Sequence, residues 1–384
     1  MMHPTDLRVA VFSGNYNYVR DGANQALNLL VGYLLEQGVK VRIYSPTTRR
    51  PAFPPTGDLV RVRAMRLPFG RSEYKLPLGL NGDARTDLDA FAPNIIHVAA
   101  PEFLGHAASG YAKRHGIASV ASLHTRFETY PRYYGLGFVE PLLERLLTRF
   151  YNRFDRILVP SPSMGTLLRG WGVRAPIDIW SRGIDHDRFC AERRDLAWRR
   201  SLGIADDALA IGFLGRLVKE KGLDIFAEVV TELASRGVPH RVLVVGDGPA
   251  RDWFAQQVPD AVFAGFQSGD ALGRAVASMD VFFNPSVTET FGNVTTEAMA
   301  AGIPVVAACA TGAVDLVVDG ETGFLVPPRD VGAYADAIAR IAADATLRRS
   351  MGEAAQTRAD GYRWDSANRA VLDSYLSVVA ERAA

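Results

Sequence analysis

Cysteine is scarce in this chain. Only Cys190 and Cys309 occur in 384 residues. No Cys-X-X-Cys pair exists, so a zinc knuckle and a dithiol redox motif are both unsupported, and the two thiols read as ordinary ones in a reducing compartment. No apolar run reaches the 18 residues that a membrane-crossing helix needs. The opening MMHPTDLRVAVFSG has no basic stretch followed by an apolar core, so no signal peptide is expected. Net charge is almost missing too. The 43 Lys plus Arg and 42 Asp plus Glu leave +1, which argues against a nucleic-acid coat. Internal repeats and low-complexity tracts are absent.

What is present is unevenly spread. Residues 1–183 carry a formal charge of +9 and residues 184–384 carry −8. A basic front half suits an anionic partner such as a membrane surface or a nucleic acid. Short apolar runs alternate with helical patterns through that half: Leu7–Phe12, Val39–Tyr44, Ile95–Val98, Ala118–Leu123 and Arg156–Val159 read as strands, and Gly22–Glu36 as a helix. The alternation predicts a parallel sheet covered on both faces. It then restarts, with strands at Leu209–Phe213, Arg241–Val245, Ala261–Phe263, Val281–Phe283 and Pro304–Ala307, and a helix from Gly222 to about Arg236. Two successive Rossmann-like halves are the economical reading, linked near Trp180–Phe189. The last helix is expected from Trp364 to about Ala380. Residues 50–90, rich in Pro, Gly and charge, receive no assignment. In such folds ligands sit beyond the carboxyl ends of the strands, and a cleft between the halves is expected.

The segment from Asn284 to Pro304 is the most informative. A strand leads through a polar turn with Gly292 into a helix starting near Asn293. Free backbone N–H groups at such a helix start can hold a diphosphate. Glu289 in the loop is suited to sugar hydroxyls, and Glu297 in the helix to a ribose diol. Spacing alone fits two solvated charges equally; the strand, glycine turn and helix favour a clamp on a nucleotide sugar. Arg216 and Lys221 follow the first strand of the rear half. They read either as surface charge, which suits Lys219 and Glu220 better, or as the cations that neutralise a departing diphosphate. No Asp-X-Asp pair in a strand-end loop offers a metal site, so no metal is expected.

In the front half, Gly22 in Asn15–Asn24 permits close backbone approach to a ligand or lies in a plain surface loop. No G-X-G-X-X-G fingerprint occurs there. His124 closes the strand at 118–123 and reads either as a structural histidine or as a partner for a sugar hydroxyl. From Phe138 to Phe154 an apolar face runs beside Arg145, Arg149 and Arg153. This pattern serves a core-facing helix or a bilayer-facing one, with the loop at 66–80 joining the membrane surface.

Together these segments resemble the retaining GT-B glycosyltransferases of glycosyltransferase family 4, which includes bacterial mannosyl-, glucosyl- and sulfoquinovosyltransferases. The resemblance covers nearly the whole chain and is strongest from Gly212 to Pro328. It implies two Rossmann-like domains facing a cleft. Residues 1–183, with 365–384 returning to them, would receive the acceptor, and residues 184–364 the nucleotide sugar. It implies catalytic roles for His124, Glu289, Arg216 and Lys221. Backbone donors would come from Phe291, Gly292 and Asn293, and Glu297 would hold the ribose. It also implies same-face attack with no covalent nucleophile, no cofactor and no divalent metal. GDP-mannose is the favoured donor, with UDP-glucose or UDP-glucuronate close behind. A lipid or lipid-linked acceptor is expected, on the inner face of an anionic cytoplasmic membrane. The same chemistry on a soluble or polysaccharide acceptor stays open. No nucleic-acid partner is expected, and no pyridoxal phosphate lysine motif supports a phosphorylase.

Overall fold

The computed structural model describes residues 2–19, 21–66 and 75–383, with only the backbone of Arg66 and Tyr134. The chain divides into two compact units. The first is Met1–Pro131, Leu136–Arg182 and Trp364–Ala384; the second is Arg132–Gly135 and Gly183–Arg363.

The strands of the first unit are β1 (Arg8–Phe12), β2 (Lys40–Ser45), β3 (Asp58–Arg61), β4 (Ala64–Arg66), β5 (Lys75–Pro77), β6 (Ile95–Val98), β7 (Ala118–Ser122), β8 (Arg156–Val159) and β9 (Ile177–Ile179). Seven form one parallel sheet in the order β3-β2-β1-β6-β7-β8-β9, while β4 and β5 pair as a small antiparallel ribbon. In β1 only Arg8 is not buried, as a strand covered on both faces requires. The Gly22–Glu36 helix covers one face. Its N-cap is Asp21, whose carboxylate accepts from the Asn24 N–H at 2.8 Å. Leu27, Leu30 and Leu34 lie in one core with Val9, Val11 and, from the Trp364–Ala383 helix, Val371, Tyr375 and Val378. Truncating a fully buried leucine such as Leu30 to alanine costs about 2–5 kcal/mol. The opposite face carries Phe12, Ile96 and Val98 against Leu104, Ala108 and Phe150.

The stripe at 138–154 divides in two. Phe150, Tyr151 and Phe154 are core, whereas Phe138, Leu142 and Leu146 are 79%, 57% and 50% exposed. The core-facing reading therefore holds for the end of the stripe, and its beginning is exposed. Of the loop at 66–80, residues 67–74 lie outside the described residues.

The second unit contains β10 (Ala210–Leu214), β11 (Arg241–Val245), β12 (Val262–Gly265), β13 (Val281–Asn284), β14 (Val305–Ala308) and β15 (Gly323–Val326), all parallel in the order β12-β11-β10-β13-β14-β15. The expected helix after β10 starts one residue late, at Leu223, because Gly222 sits in the left-handed region at φ 70°. β3, β9 and β15 went unassigned from the sequence. Each is a short run at a sheet edge, too brief for alternation to register.

Strand order reverses between β1 and β6 in one sheet and between β10 and β13 in the other. At such a point the loops leave the sheet in opposite directions and open a crevice beyond the carboxyl ends.

Candidate active site

In the second unit the crevice is framed by the loops after β10 and β13. Lys221 closes a short 3-10 turn, Lys219–Lys221, and Gly222 follows. A Cβ at Gly222 would stand 3.0 Å from the Pro285 carbonyl oxygen, so glycine lets the two loops meet. Ser286 Oγ and Thr288 Oγ1 each donate to the Glu220 carbonyl at 3.3 Å. The result is a direct ion pair, Lys221 Nζ to Glu289 Oε1 at 2.6 Å, with side chains 29% and 11% exposed. Arg216 stands exposed earlier in the same loop.

The Asn293–Ala300 helix follows Gly292, whose φ of 107° suits only glycine. Asn284 ties this helix to its strand. Its Nδ2 donates to Thr295 Oγ1 at 3.2 Å, and its Oδ1 accepts from the Ser286 N–H at 3.2 Å. The Phe291 ring is buried edge-on to Tyr362, so its side chain belongs to the core. Glu297 has part of its area exposed, yet protein crowds its carboxyl. Burial pushes its pKa up to about 8, against the pull of Arg188. The structure thus joins Lys221 and Glu289 directly, sets the helix start beside them in sequence, and gives Glu297 a different charged neighbour.

In the first unit the crevice is a 370 Å³ cavity beyond β1, β6 and β7, lined by polar groups including Asn15, Asp21, Asn24 and His124. Asp21 and Ala23 line it, but Gly22 between them does not; it is an exposed first residue of a helix. The glycine of close approach is Gly14, where a Cβ would collide with the Glu102 carboxylate. His124 is held within the unit. Arg182 Nη2 donates to its Nδ1 at 2.9 Å, and an arginine cannot accept. The ring proton therefore sits on Nε2, facing Ser122 Oγ at 2.8 Å. Ser122 Oγ continues to His97 Nε2 at 2.8 Å, and His97 Nδ1 to Tyr375 Oη at 2.6 Å. Burial, then the Arg182 and His97 charges, holds the His124 pKa well below its ordinary value. Both ring nitrogens are thus engaged within the unit, while the ring still lines the cavity. Among the described residues no group of three or more His, Cys, Asp or Glu is disposed to hold a metal, and no helix is long and apolar enough to cross a membrane.

Comparison with known proteins bears on this geometry. Residues 20–188 match the family model for Glycosyltransferase Family 4, and residues 208–344 the one for glycosyl transferases group 1. A GDP-mannose-dependent alpha-mannosyltransferase of Mycolicibacterium smegmatis is 31% identical over 98% of this chain and 99% of its own. The chain belongs to glycosyltransferase family 4. Sulfoquinovosyl transferase SQD2 of Arabidopsis thaliana is also 31% identical, over 96% of this chain and 73% of its own. A sucrose-phosphate synthase structure from Thermosynechococcus elongatus matches with a TM-score of 0.78 at 20% identity, over 98% of this chain and 100% of that one. Its likeness speaks for the fold alone, which is GT-B.

In this family 4 glycosyltransferase, sequence reasoning missed several positioning residues. Gly312, at φ 81°, lets its loop lie on the loop that carries Glu289; a Cβ there would stand 2.7 Å from the Phe291 carbonyl oxygen and 3.0 Å from that of Glu289. Its signal was Ala-Thr-Gly directly after an apolar strand. Arg188 carries no signal, since only folding brings it to Glu297. Glu102 had one: a carboxylate at a helix start just past β6.

Proposed function

We propose that the chain is a retaining glycosyltransferase that moves a hexose, mannose from GDP-mannose in the favoured reading, to a membrane lipid or lipid-linked acceptor. The Lys221–Glu289 pair carries this reading. It lies at the switch point of the second sheet and joins the loop after β10 to the loop that enters the Asn293–Ala300 helix. The diphosphate sits at the helix start, where unpaired N–H groups and the dipole favour an anion. Lys221 turns from Glu289 to the phosphate, with Arg216 as second cation, and Glu289 is released to accept from the sugar hydroxyls. As the anomeric bond breaks, the two cations stabilise the charge growing on the leaving phosphate. A phosphate oxygen on the same face takes the acceptor proton, so configuration is kept without a protein nucleophile. Glu297, protonated near neutrality, both donates to and accepts from the ribose diol. Neither a cofactor nor a divalent metal takes part.

The mannosyltransferase relative supports GDP-mannose, since that donor stands in its name and the two chains align end to end. SQD2, by its name a sulfoquinovosyl transferase, keeps a sugar other than mannose open; UDP-glucose- or UDP-glucuronate-dependent transfer to diacylglycerol or ceramide is the second reading. The acceptor is held by the first unit, peripheral to the inner face of the cytoplasmic membrane, where the +9 front half meets anionic lipid. Heat stabilisation by GDP-mannose, UDP-glucose and UDP-glucuronate tests the donor. The true donor at a hundredfold over its Kd stabilises by about 2.7 kcal/mol. Absence of a shift with all three rejects the reading. An inverted anomeric centre in the product rejects retention, and loss of activity in EDTA rejects the metal-free mechanism.

A further inference from the structure

We propose that the first unit carries a separate subsite for one alkyl chain of an amphiphilic acceptor, in the groove bounded by the Phe103–His115 and Glu140–Tyr151 helices. This deepens the lipid-acceptor reading above and rests on it. The groove encloses 480 Å³ and is lined by Pro101, Phe127, Leu143, Leu146, Leu147 and Phe150. Leu146 and Phe127 are 50% and 39% exposed, and Phe138 and Leu142 extend the apolar surface beyond them. Rotating the helix cannot hide these side chains, because Phe150 and Tyr151 at its far end are locked in the core.

Continuity with the polar cavity identifies the occupant. Glu102 and Phe127 line both the groove and the 370 Å³ cavity that holds Asn15, Asp21 and Asn24. A molecule filling both has hydroxyl groups at one end and hydrocarbon at the other. Glu102 stands at the junction, over Gly14, with its Oε2 buried and lacking a hydrogen-bond partner. A hydroxyl of the head group supplies that partner. At the groove's polar rim stand Arg149 and Arg153, both exposed, matching the anionic surface from which a lipid would be drawn.

Calorimetric titration of the full chain with methyl and n-octyl α-D-mannopyranoside, below the micelle concentration, tests this. The octyl compound binds at least tenfold tighter, and Leu146→Asp or Leu143→Asp abolishes the preference. Leu146 is half-exposed, so its variant folds, which an unchanged Tm verifies. Equal affinities, no octyl binding, or a preference retained in both variants overturns the subsite. An octyl effect that appears only with dimerisation also overturns it, by making a second copy the occupant. Parallel titration with GDP and UDP separates the two readings. Alkyl preference without nucleotide binding rejects the transferase reading alone, and nucleotide binding without alkyl preference rejects the subsite alone.

Discussion

The two sheets reverse strand order at equivalent places, β1/β6 and β10/β13, yet their crevices are finished in opposite ways. In the second unit opposite charges meet at the mouth, Lys221 on Glu289 at 2.6 Å, and glycines at 222, 292 and 312 bring the loops together. In the first unit one cation, Arg182, starts a chain of neutral groups that runs inward through His124, Ser122 and His97 to Tyr375, and one carboxylate, Glu102, keeps an oxygen without a hydrogen-bond partner. Topology thus selects where a ligand lies, and loop residues select which ligand. An exchangeable ion pair suits a charged donor. A buried carboxyl beside an apolar groove suits an uncharged hydroxyl.

The sharpest way to break this contrast is to remove the cation. Lys221→Ala should lower transfer about 10³-fold with the fold intact, because leaving-group charge loses its compensation. Glu289→Gln should lower it comparably. The double variant should lose more than the product of the two losses, since each single change also spares the enzyme the ion pair that substrate must break, a saving that the double variant makes only once. Additive losses in a double-mutant cycle of kcat/KM would deny that the pair acts as one device.

Next comes the loop geometry. Gly312→Val should lower stability by about 2–3 kcal/mol and transfer about a hundredfold. Its side chain strains a positive φ and presses on the loop carrying Glu289. Gly320, at φ 77° with open space around it, is the control, and Gly320→Val should cost about 1 kcal/mol with little change in transfer. Thermal unfolding and steady-state rates on the two variants decide the matter.

Much of this was legible in the sequence, for reasons that particular residues show. Apolar runs such as Leu7–Phe12 announce a strand because parallel sheets bury both faces. Lys221 and Glu289, which the structure pairs, were legible as candidates because each lies in the loop that follows such a run. The switch points themselves were hidden, because strand order is a long-range property. His124 was legible as a strand-end residue, but its engagement was not, since Arg182 is distant in sequence. Gly22 attracted attention as a loop glycine, while Gly14 makes the close approach; only the carboxylate packed over it marks the difference.

A smaller effect separates the two buried carboxyls from the charged pair. Burial raises Glu102 to about 7 and Glu297 to about 8, from an ordinary 4.5. Both bind their proton more tightly folded than unfolded, so their contribution to stability is complete below pH 4.5 and falls as pH rises, to about 7 for Glu102 and about 8 for Glu297. Glu297→Gln should therefore gain about 2 kcal/mol over the parent at pH 9, discounted for solvent access, and nothing at pH 4. Glu102→Gln should gain less and reach its plateau near pH 7. Melting temperatures across pH 4–9 test both, and a gain already present at pH 4 would contradict the assignment.

The smallest expected change probes the neutral chain. Ser122→Ala removes the acceptor for His124 Nε2 and the link to His97, at a cost of about 1 kcal/mol. If His124 acts only by holding Arg182 and the cavity wall in place, transfer should change less than about threefold, because the Arg182–His124 bond at 2.9 Å survives. If instead His124 exchanges Ser122 for an acceptor hydroxyl during the reaction, the freed Nε2–H should lower KM for the acceptor while kcat holds. The two roles therefore separate on the KM of one variant, and a fall in KM would make the first unit's crevice, like the second's, a site whose internal bonds are exchanged for the ligand's.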